Sequence, residues 1–461
     1  MAGRKKQKLV EEQGIDGARD IISGLPDCIL QHILSFLPTK DAVATCILST
    51  RWTYLWTAIP NIDLDDSLIY FGEVDSWYPI ERVSFMNFVE RVLIHRDVSS
   101  MNKFRLSCTV CFYASRVNAW ISAAIRHNVK ELDLQLDVEK PFMLPHCVYT
   151  CESLEVLKIE MECVLKLPSS ISLPNLKTLH LCLVTFSDEN SLHRLFSSCH
   201  VLQELSLSDC DWRDMTNVTI SIPTLKNLKV EDLPYCLSLN ESSGCVIKVN
   251  APNLVYLEYF GDLPNEILLA NQLSLANASV QVCNLSERQS ETACRAVKLL
   301  QGLQYIKCLK ISAETIKTLG LAENSLDHLP VFQNLTHMEL SVEIESHTFE
   351  ALLEFLQGIH PPEFLSFPEG LDPPMCLCKD EWVLTSASSC SLSNLKTINL
   401  QNLCGTETEL NILKSLLKRA PIKVESCSAF TLKGQPVYGF IACSVVSVNL
   451  IFSKASRVAR R

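Results

Sequence analysis

One short pattern, apolar-x-x-apolar-x-apolar, recurs along most of this chain and leaves few folds open to it. It runs through Val129, Leu132 and Leu134; Leu154, Leu157 and Ile159; Leu176, Leu179 and Leu181; Leu202, Leu205 and Leu207; Leu225, Leu228 and Val230; and Leu254, Leu257 and Tyr259. Later copies are Ile306, Leu309 and Ile311; Leu335, Met338 and Leu340; and Leu395, Ile398 and Leu400. The early copies begin 25, 22, 26, 23 and 29 residues apart. The 52 residues from Leu254 to Ile306 leave room for one degenerate copy around 275–282. Each copy supplies a short strand with alternate side chains on one face. One copy cannot cover that face alone, whereas stacked copies build a continuous core and a parallel sheet. The segments between copies return the chain over the other side. Their uneven lengths and their prolines (Pro168, Pro174, Pro223, Pro252) suit loops and short helices.

Ahead of the repeats, residues 25–56 read LPDCILQHILSFLPTKDAVATCILSTRWTYLW. Three helical signals crowd into this segment. Over 27–37, Ile29, Leu30, Ile33, Leu34 and Leu37 fall on one helical face, with Pro26 at the first turn and Pro38 as the stop. Thr39 can cap a second helix carrying Val43, Ala44, Ile47 and Leu48. Ser49 can cap a third, carrying Trp52, Leu55 and Trp56. Periodicity alone reads equally as three core helices of a bundle. A unit this small buries its own apolar surface poorly, so part of that surface is expected to meet a partner.

The residues themselves say more than their spacing. Leu25-Pro26, then Ile33-Leu34-Ser35-x-Leu37-Pro38-Thr39-Lys40, then Leu48-Ser49-x-Arg51-Trp52-x-x-Leu55-Trp56 closely resemble an F-box in its plant-like form, with Asp41 to Thr45 also matching. Cys46 and Thr50 depart from that form, and neither removes a large apolar anchor. The repeats resemble the leucine-rich repeats that follow F-boxes in plants, in a loose version with few of the asparagines that usually follow the strand. Residues 374–420 are similar to the FBD domain of plant F-box proteins, with Leu392 to Leu400 as a strand, Gly405 as a turn, a Thr406/Glu409 capping pattern, and Leu410, Leu413, Leu416 and Leu417 as a helix stripe. The likeness ends at Pro421. Ile422 and Val424 alternate with charged residues and offer a substitute strand.

The resemblance implies an α/β chain: a small helical F-box, an irregular leucine-rich-repeat solenoid with a parallel sheet, and an FBD-like α/β cap. The expected organisation is a basic, polar tail at 1–19, the F-box at 20–60, a linker and helix at 61–100 (stripe Phe85, Met86, Val89, Val92, Leu93), repeats over 101–345, the FBD-like domain at 363–420, and an atypical apolar and basic tail at 421–461. It also implies a substrate-receptor subunit of an SCF-type ubiquitin ligase. The F-box would dock a Skp-family adaptor and through it a cullin-RING ligase, and the repeats would hold an unknown target. Adaptor-binding residues are then expected among Leu25, Pro26, Ile29, Leu30, Ile33, Leu34, Leu37, Pro38, Val43, Leu48, Trp52 and Leu55, with Trp52 and the Leu-Pro pair as anchors. A non-degradative binding scaffold and a small-molecule sensor using the repeat concavity are the alternatives.

Composition and motifs narrow the remaining classes. A formal net charge of −11 argues against general nucleic-acid binding. The N-terminus has no apolar core of a signal peptide, and its Arg4, Lys5, Lys6 and Lys8 read either as a nuclear-import cluster or as a solvated tail. The 21 cysteines then read as reduced thiols of a nuclear or cytoplasmic protein, several of them, such as Cys163, Cys182, Cys210 and Cys236, acting as small hydrophobes. The apolar run at 437–452 is short for a membrane span, and no membrane partner is expected. A single Cys-x-x-Cys, Cys108 to Cys111, lacks a second pair at zinc spacing, and Cys376 and Cys378 are too close. No catalytic or phosphate-binding motif is present. The expectation is a non-catalytic component without metal or cofactor.

Overall fold

The computed structural model describes residues 21–68, 79–96, 101–138, 142–212, 215–232, 244–270, 273–283, 289–321, 329–341, 346–359, 361–368, 392–400, 407–420, 430–432 and 435–437. The basic cluster at 4–8, Cys236, Cys376, Cys378, Gly405, Thr406, the segment after Pro421 up to 429, and 438–452 lie outside them.

The repeat pattern becomes one thirteen-stranded sheet. In chain order the strands are β1 (Asn61–Asp65), β2 (Lys103–Phe112), β3 (Glu131–Val138), β4 (Val156–Leu165), β5 (Thr178–Phe186), β6 (Glu204–Ser208), β7 (Asn217–Ser221), β8 (Asn227–Asp232), β9 (Val246–Asn250), β10 (Tyr256–Gly261), β11 (Glu266–Ala270), β12 (Asn277–Val282), β13 (Cys308–Ser312), β14 (His337–Ser341), β15 (Phe364–Phe367) and β16 (Thr397–Leu400). All but β7, β9 and β11 belong to the large sheet, and every pairing within it is parallel. Register is set by the pattern: Leu132 lies opposite Leu157, which lies opposite Leu179, then Leu205, Leu228, Leu257, Ala278, Leu309, Met338, Leu365 and Ile398. A slip of one residue would turn this row of buried side chains to water, so the register is strongly specified.

The degenerate copy predicted around 275–282 is β12, with Leu275, Ala278 and Val280 buried. Three further strands of the large sheet fall outside the predicted copies. Ile59, Ile62 and Leu64 make β1, where a linker was expected; Met101, Phe104 and Leu106 make β2; and Pro362, Leu365 and Phe367 make β15, past the expected end of the repeats. The sheet therefore runs without a break from the F-box to the FBD-like segment.

Return segments cover one face of the sheet. The helices are α1 (Asp27–Leu34) and α2 (Thr39–Ala44) in the F-box, then α3 (Pro79–Ile94), α4 (Ala114–Arg126), α5 (Glu189–Ser198), α6 (Gln289–Gln301), α7 (Ala313–Leu319), α8 (Ser346–Gly358) and α9 (Glu407–Arg419). In α3, Phe85, Met86, Val89 and Val92 are buried and Leu93 packs beside them. In α9, Ile412, Leu413 and Leu416 are buried and Leu417 only half so. α5 starts at Asp188, which accepts a hydrogen bond from Ser191 N at 2.7 Å, and α7 at Ser312, which accepts from Thr315 N at 3.2 Å. Between α5 and α6 the return layer is not loop or helix but a second parallel sheet, β11-β9-β7. A short antiparallel hairpin pairs Phe430–Leu432 with Gln435–Val437.

Side chains tie neighbouring repeats at the sheet edge. Asn175, Asn253 and Asn334 each stand just before the first leucine of a copy. Their Nδ2 atoms donate to the carbonyls of Glu152 (2.8 Å), Pro223 (2.8 Å) and Tyr305 (3.2 Å), one repeat earlier. At the end of β10, Gly261 has φ +139° and sits so close to β8 that a Cβ would lie 2.0 Å from Asp232 O, so only glycine fits.

Candidate functional site

The F-box folds on an inner core and leaves an outer apolar face. Leu30, Leu34, Ala42, Trp52, Leu55, Trp56 and Ile59 are buried among themselves and against the start of the sheet. Trp56 Nε1 donates to Thr53 O at 3.1 Å, which satisfies the indole inside that core. Helix α1 ends at Leu34, one turn earlier than the spacing predicted. Ser35 Oγ donates to His32 O at 2.7 Å, and Pro38 blocks continuation. Neither expected cap forms. Thr39 is fully buried, and its Oγ1 accepts from Asp63 N of β1 at 2.7 Å, fastening the F-box to the first strand. The third helix is a 3-10 helix over Trp52–Ala58 without a side-chain cap. Arg51 closes the unit: its Nε donates to Asp27 Oδ1 at 2.9 Å, and its Nη2 reaches both Asp27 and Leu25 O.

The twelve residues expected at the adaptor contact divide. Leu30, Leu34, Leu55 and the expected anchor Trp52 (8% exposed) are buried within this chain. Leu25, Val43 and Pro38 are half-buried, Leu25 and Val43 packing against the core. Pro26, Ile29, Ile33, Leu37 and Leu48 are exposed. Two neighbours outside the expected contact set join them: Phe36, which the spacing did not single out, is 75% exposed, and Ile47, placed by spacing on the second helix, is 85% exposed. On α1 the positions 29 and 33 lie one turn apart, at the solvent-facing border of the stripe whose inner side is Leu30 and Leu34, and Phe36 and Leu37 follow just past the helix end. The signal for Phe36 and Ile47 was in the sequence. Large apolar residues flank the buried positions at helical spacing, and only the fold tells which side is inside.

A second surface is the face of the large sheet that no described helix covers. Its side chains alternate with the buried rows and are mostly polar. Arg105 Nη1 bonds Asp63 Oδ1 at 2.9 Å and reaches Asp65 Oδ2 at 3.4 Å. Lys103 Nζ pairs with Glu131 at 2.9 Å, Lys158 with the same Glu131 at 3.5 Å, Lys229 with Glu231 at 3.4 Å, and Lys310 with Glu339 at 2.9 Å. Burial between the strands pushes the His180 imidazole pKa down, and Lys158 beside it adds to that, so His180 tends to be neutral.

Nothing described assembles catalytic chemistry. Cys108 is buried in β2 and burial pushes its thiol well up; the Cys111 side chain lies outside the described set. Cys163 and Cys210 are buried as small hydrophobes, and Cys182 is half-buried. Among the described residues no group of three or more His, Cys, Asp or Glu could hold a metal ion, and no helix is long and apolar enough to cross a membrane.

A helical F-box fused directly to a parallel leucine-rich-repeat sheet defines a class of protein, and sequence comparison agrees with it. Residues 22–62 match the F-box domain model, and residues 117–272 match the model described as "FBD-associated F-box protein At5g56370, LRR repeats". F-box/LRR-repeat protein At4g14103 of Arabidopsis thaliana is 33% identical over 337 residues, covering 71% of this chain and 86% of that protein. Putative F-box/FBD/LRR-repeat protein At3g59240 of the same plant is 32% identical over 431 residues, covering 87% and 82%. The similarity to F-box/LRR-repeat protein At4g14096, 28% over 465 residues, spans 96% and 97%. This chain belongs to the plant F-box/LRR-repeat family.

Proposed function

We propose that the chain is the substrate-receptor subunit of an SCF-type ubiquitin ligase, non-catalytic itself. Its F-box docks a Skp-family adaptor and its repeats hold the target. One observation carries the reading. The F-box spends Leu30, Leu34, Trp52 and Leu55 on its own core and still exposes Ile29, Ile33, Phe36, Leu37, Ile47 and Leu48. A cluster of that kind on one small unit marks a protein-binding face. An interface of ordinary size would hide roughly 1,200–2,000 Å² in total, enough to cover it. The mechanism is proximity: the target is held near a ubiquitin-charged enzyme, which raises its effective concentration.

Co-expression with a Skp-family adaptor tests the reading. The adaptor should co-elute with the full chain and be lost from an Ile33→Asp/Leu48→Asp variant that keeps its melting temperature. No co-elution of the unaltered chain with any adaptor would refute it. Affinity purification with the proteasome blocked would then identify the target.

A further inference from the structure

Among the described residues, the sheet face away from the helices is not uniform. Over β3 to β6 it presents Glu131, Asp133, Glu160 and Glu204 against the single cation Lys158, with Lys103 reaching in from β2. Glu160 and Glu204 are exposed. Glu160 accepts from Gln135 Nε2 at 3.1 Å, and Glu204 from Asn227 Nδ2 at 3.2 Å and Thr178 Oγ1 at 3.3 Å. Neither forms an ion pair among the described residues, in contrast to the interlocked charges on β1 and β2. On β10 the face changes: Tyr256 and Phe260 flank Glu258, both half-buried, and farther along His337 lies against Phe364 with ring centroids 5.1 Å apart. A surplus of carboxylates bordered by aromatic rings is a surface for cations that also carry apolar bulk.

We propose that this face takes an extended, lysine- or arginine-rich segment of the target, with its basic side chains over β3 to β6 and an aromatic or aliphatic side chain over β10. The proposal rests on the receptor reading above and specifies its ligand. The geometry sets the length. Three strand spacings from β3 to β6 span about 14 Å, which an extended chain covers in four to five residues. Two more spacings reach β10, so the apolar residue follows the basic run by about three residues. Single exposed pairs contribute little each, so several must act together.

The probe is a fluorescein-labelled octapeptide, Lys-Ser-Lys-Ser-Lys-Ser-Ser-Trp, titrated into the full chain and followed by fluorescence anisotropy. Saturable binding is expected, and it should weaken at least about tenfold from 0.05 to 0.3 M salt as screening grows. The glutamate counterpart should not bind. Glu160→Lys/Glu204→Lys should cost at least about tenfold, and the milder Glu160→Gln/Glu204→Gln less, with melting temperatures unchanged. Replacing the terminal tryptophan by serine, or Phe260→Ser in the protein, should each weaken binding severalfold. The proposal is overturned if the peptide does not bind, if it binds the reversed-charge variant equally well, or if the tryptophan adds nothing. It is also overturned if deleting residues 1–20 tightens binding more than tenfold, since the chain's own basic segment would then be the occupant. Adaptor co-elution measured on the same preparations separates the two readings. Peptide failure with adaptor binding intact sinks only this inference, and loss of both sinks the receptor assignment.

Discussion

Truncating Ile47 and Leu48 together separates docking from folding. Ile47 is 85% exposed and Leu48 63%, so their loss should leave stability within about 0.5 kcal/mol of the unaltered chain. Each change to alanine removes three methylene equivalents, worth about 0.8 kcal/mol apiece when buried. Scaled by the area still open in this structure, full coverage by an adaptor makes the pair worth about 3.5 kcal/mol, or roughly 400-fold in affinity. Half coverage leaves about 20-fold. Isothermal titration of a Skp-family adaptor into the full chain should therefore show a loss of about 20- to 400-fold for Ile47→Ala/Leu48→Ala, while its melting curve overlays the parent's. Affinity within twofold of the parent would show that these side chains are not at the contact.

Other expectations come from the interior. Leu30→Ala, at a fully buried site, should cost about 2–5 kcal/mol in chemical denaturation. Burial, with Asp209 nearby, pushes the Asp232 carboxyl up to about 7. Between pH 4 and 7 the native protein then holds a proton that the unfolded chain has released, so stability should fall as pH rises, by at most about 4 kcal/mol. Asp232→Asn should flatten that slope in melting curves from pH 5 to 8, and an unchanged slope would assign it elsewhere. Asn253→Ala and Asn334→Ala should each cost about 0.5–1.5 kcal/mol by denaturant titration, nearly additively, because each removes one edge hydrogen bond from a different repeat.

Where the sequence was legible, the reason is the ladder. Leu132, Leu157, Leu179, Leu205, Leu228 and Leu257 stack in one buried row, and a row needs the same residue type at the same offset in every copy. β1, β2 and β15 are masked in the sequence because isoleucine, methionine, phenylalanine and proline fill the same places and the neighbouring spacing is irregular. The edge asparagines stand before the strand, whereas the repeat pattern expects them after it. The β7, β9 and β11 layer lies in segments whose uneven length and prolines suit loops and short helices, and the β-branched residues of β7 and β9 (Val218, Thr219 and Ile220; Val246, Ile247 and Val249) make runs too short to outweigh that. They become strands only when stacked repeats bring them side by side. In the F-box, helical spacing found the apolar residues but not their sides. Trp52 and Ile47 look equally apolar in sequence, and the fold hides the first and exposes the second.

Hydrogen exchange of the full chain, alone and with a Skp-family adaptor, tests the central assignment most directly. The amides of residues 26–50 should slow on complex formation while those of β3 to β10 stay as they were. Unchanged exchange across 26–50 in a mixture shown to contain the complex would contradict the account.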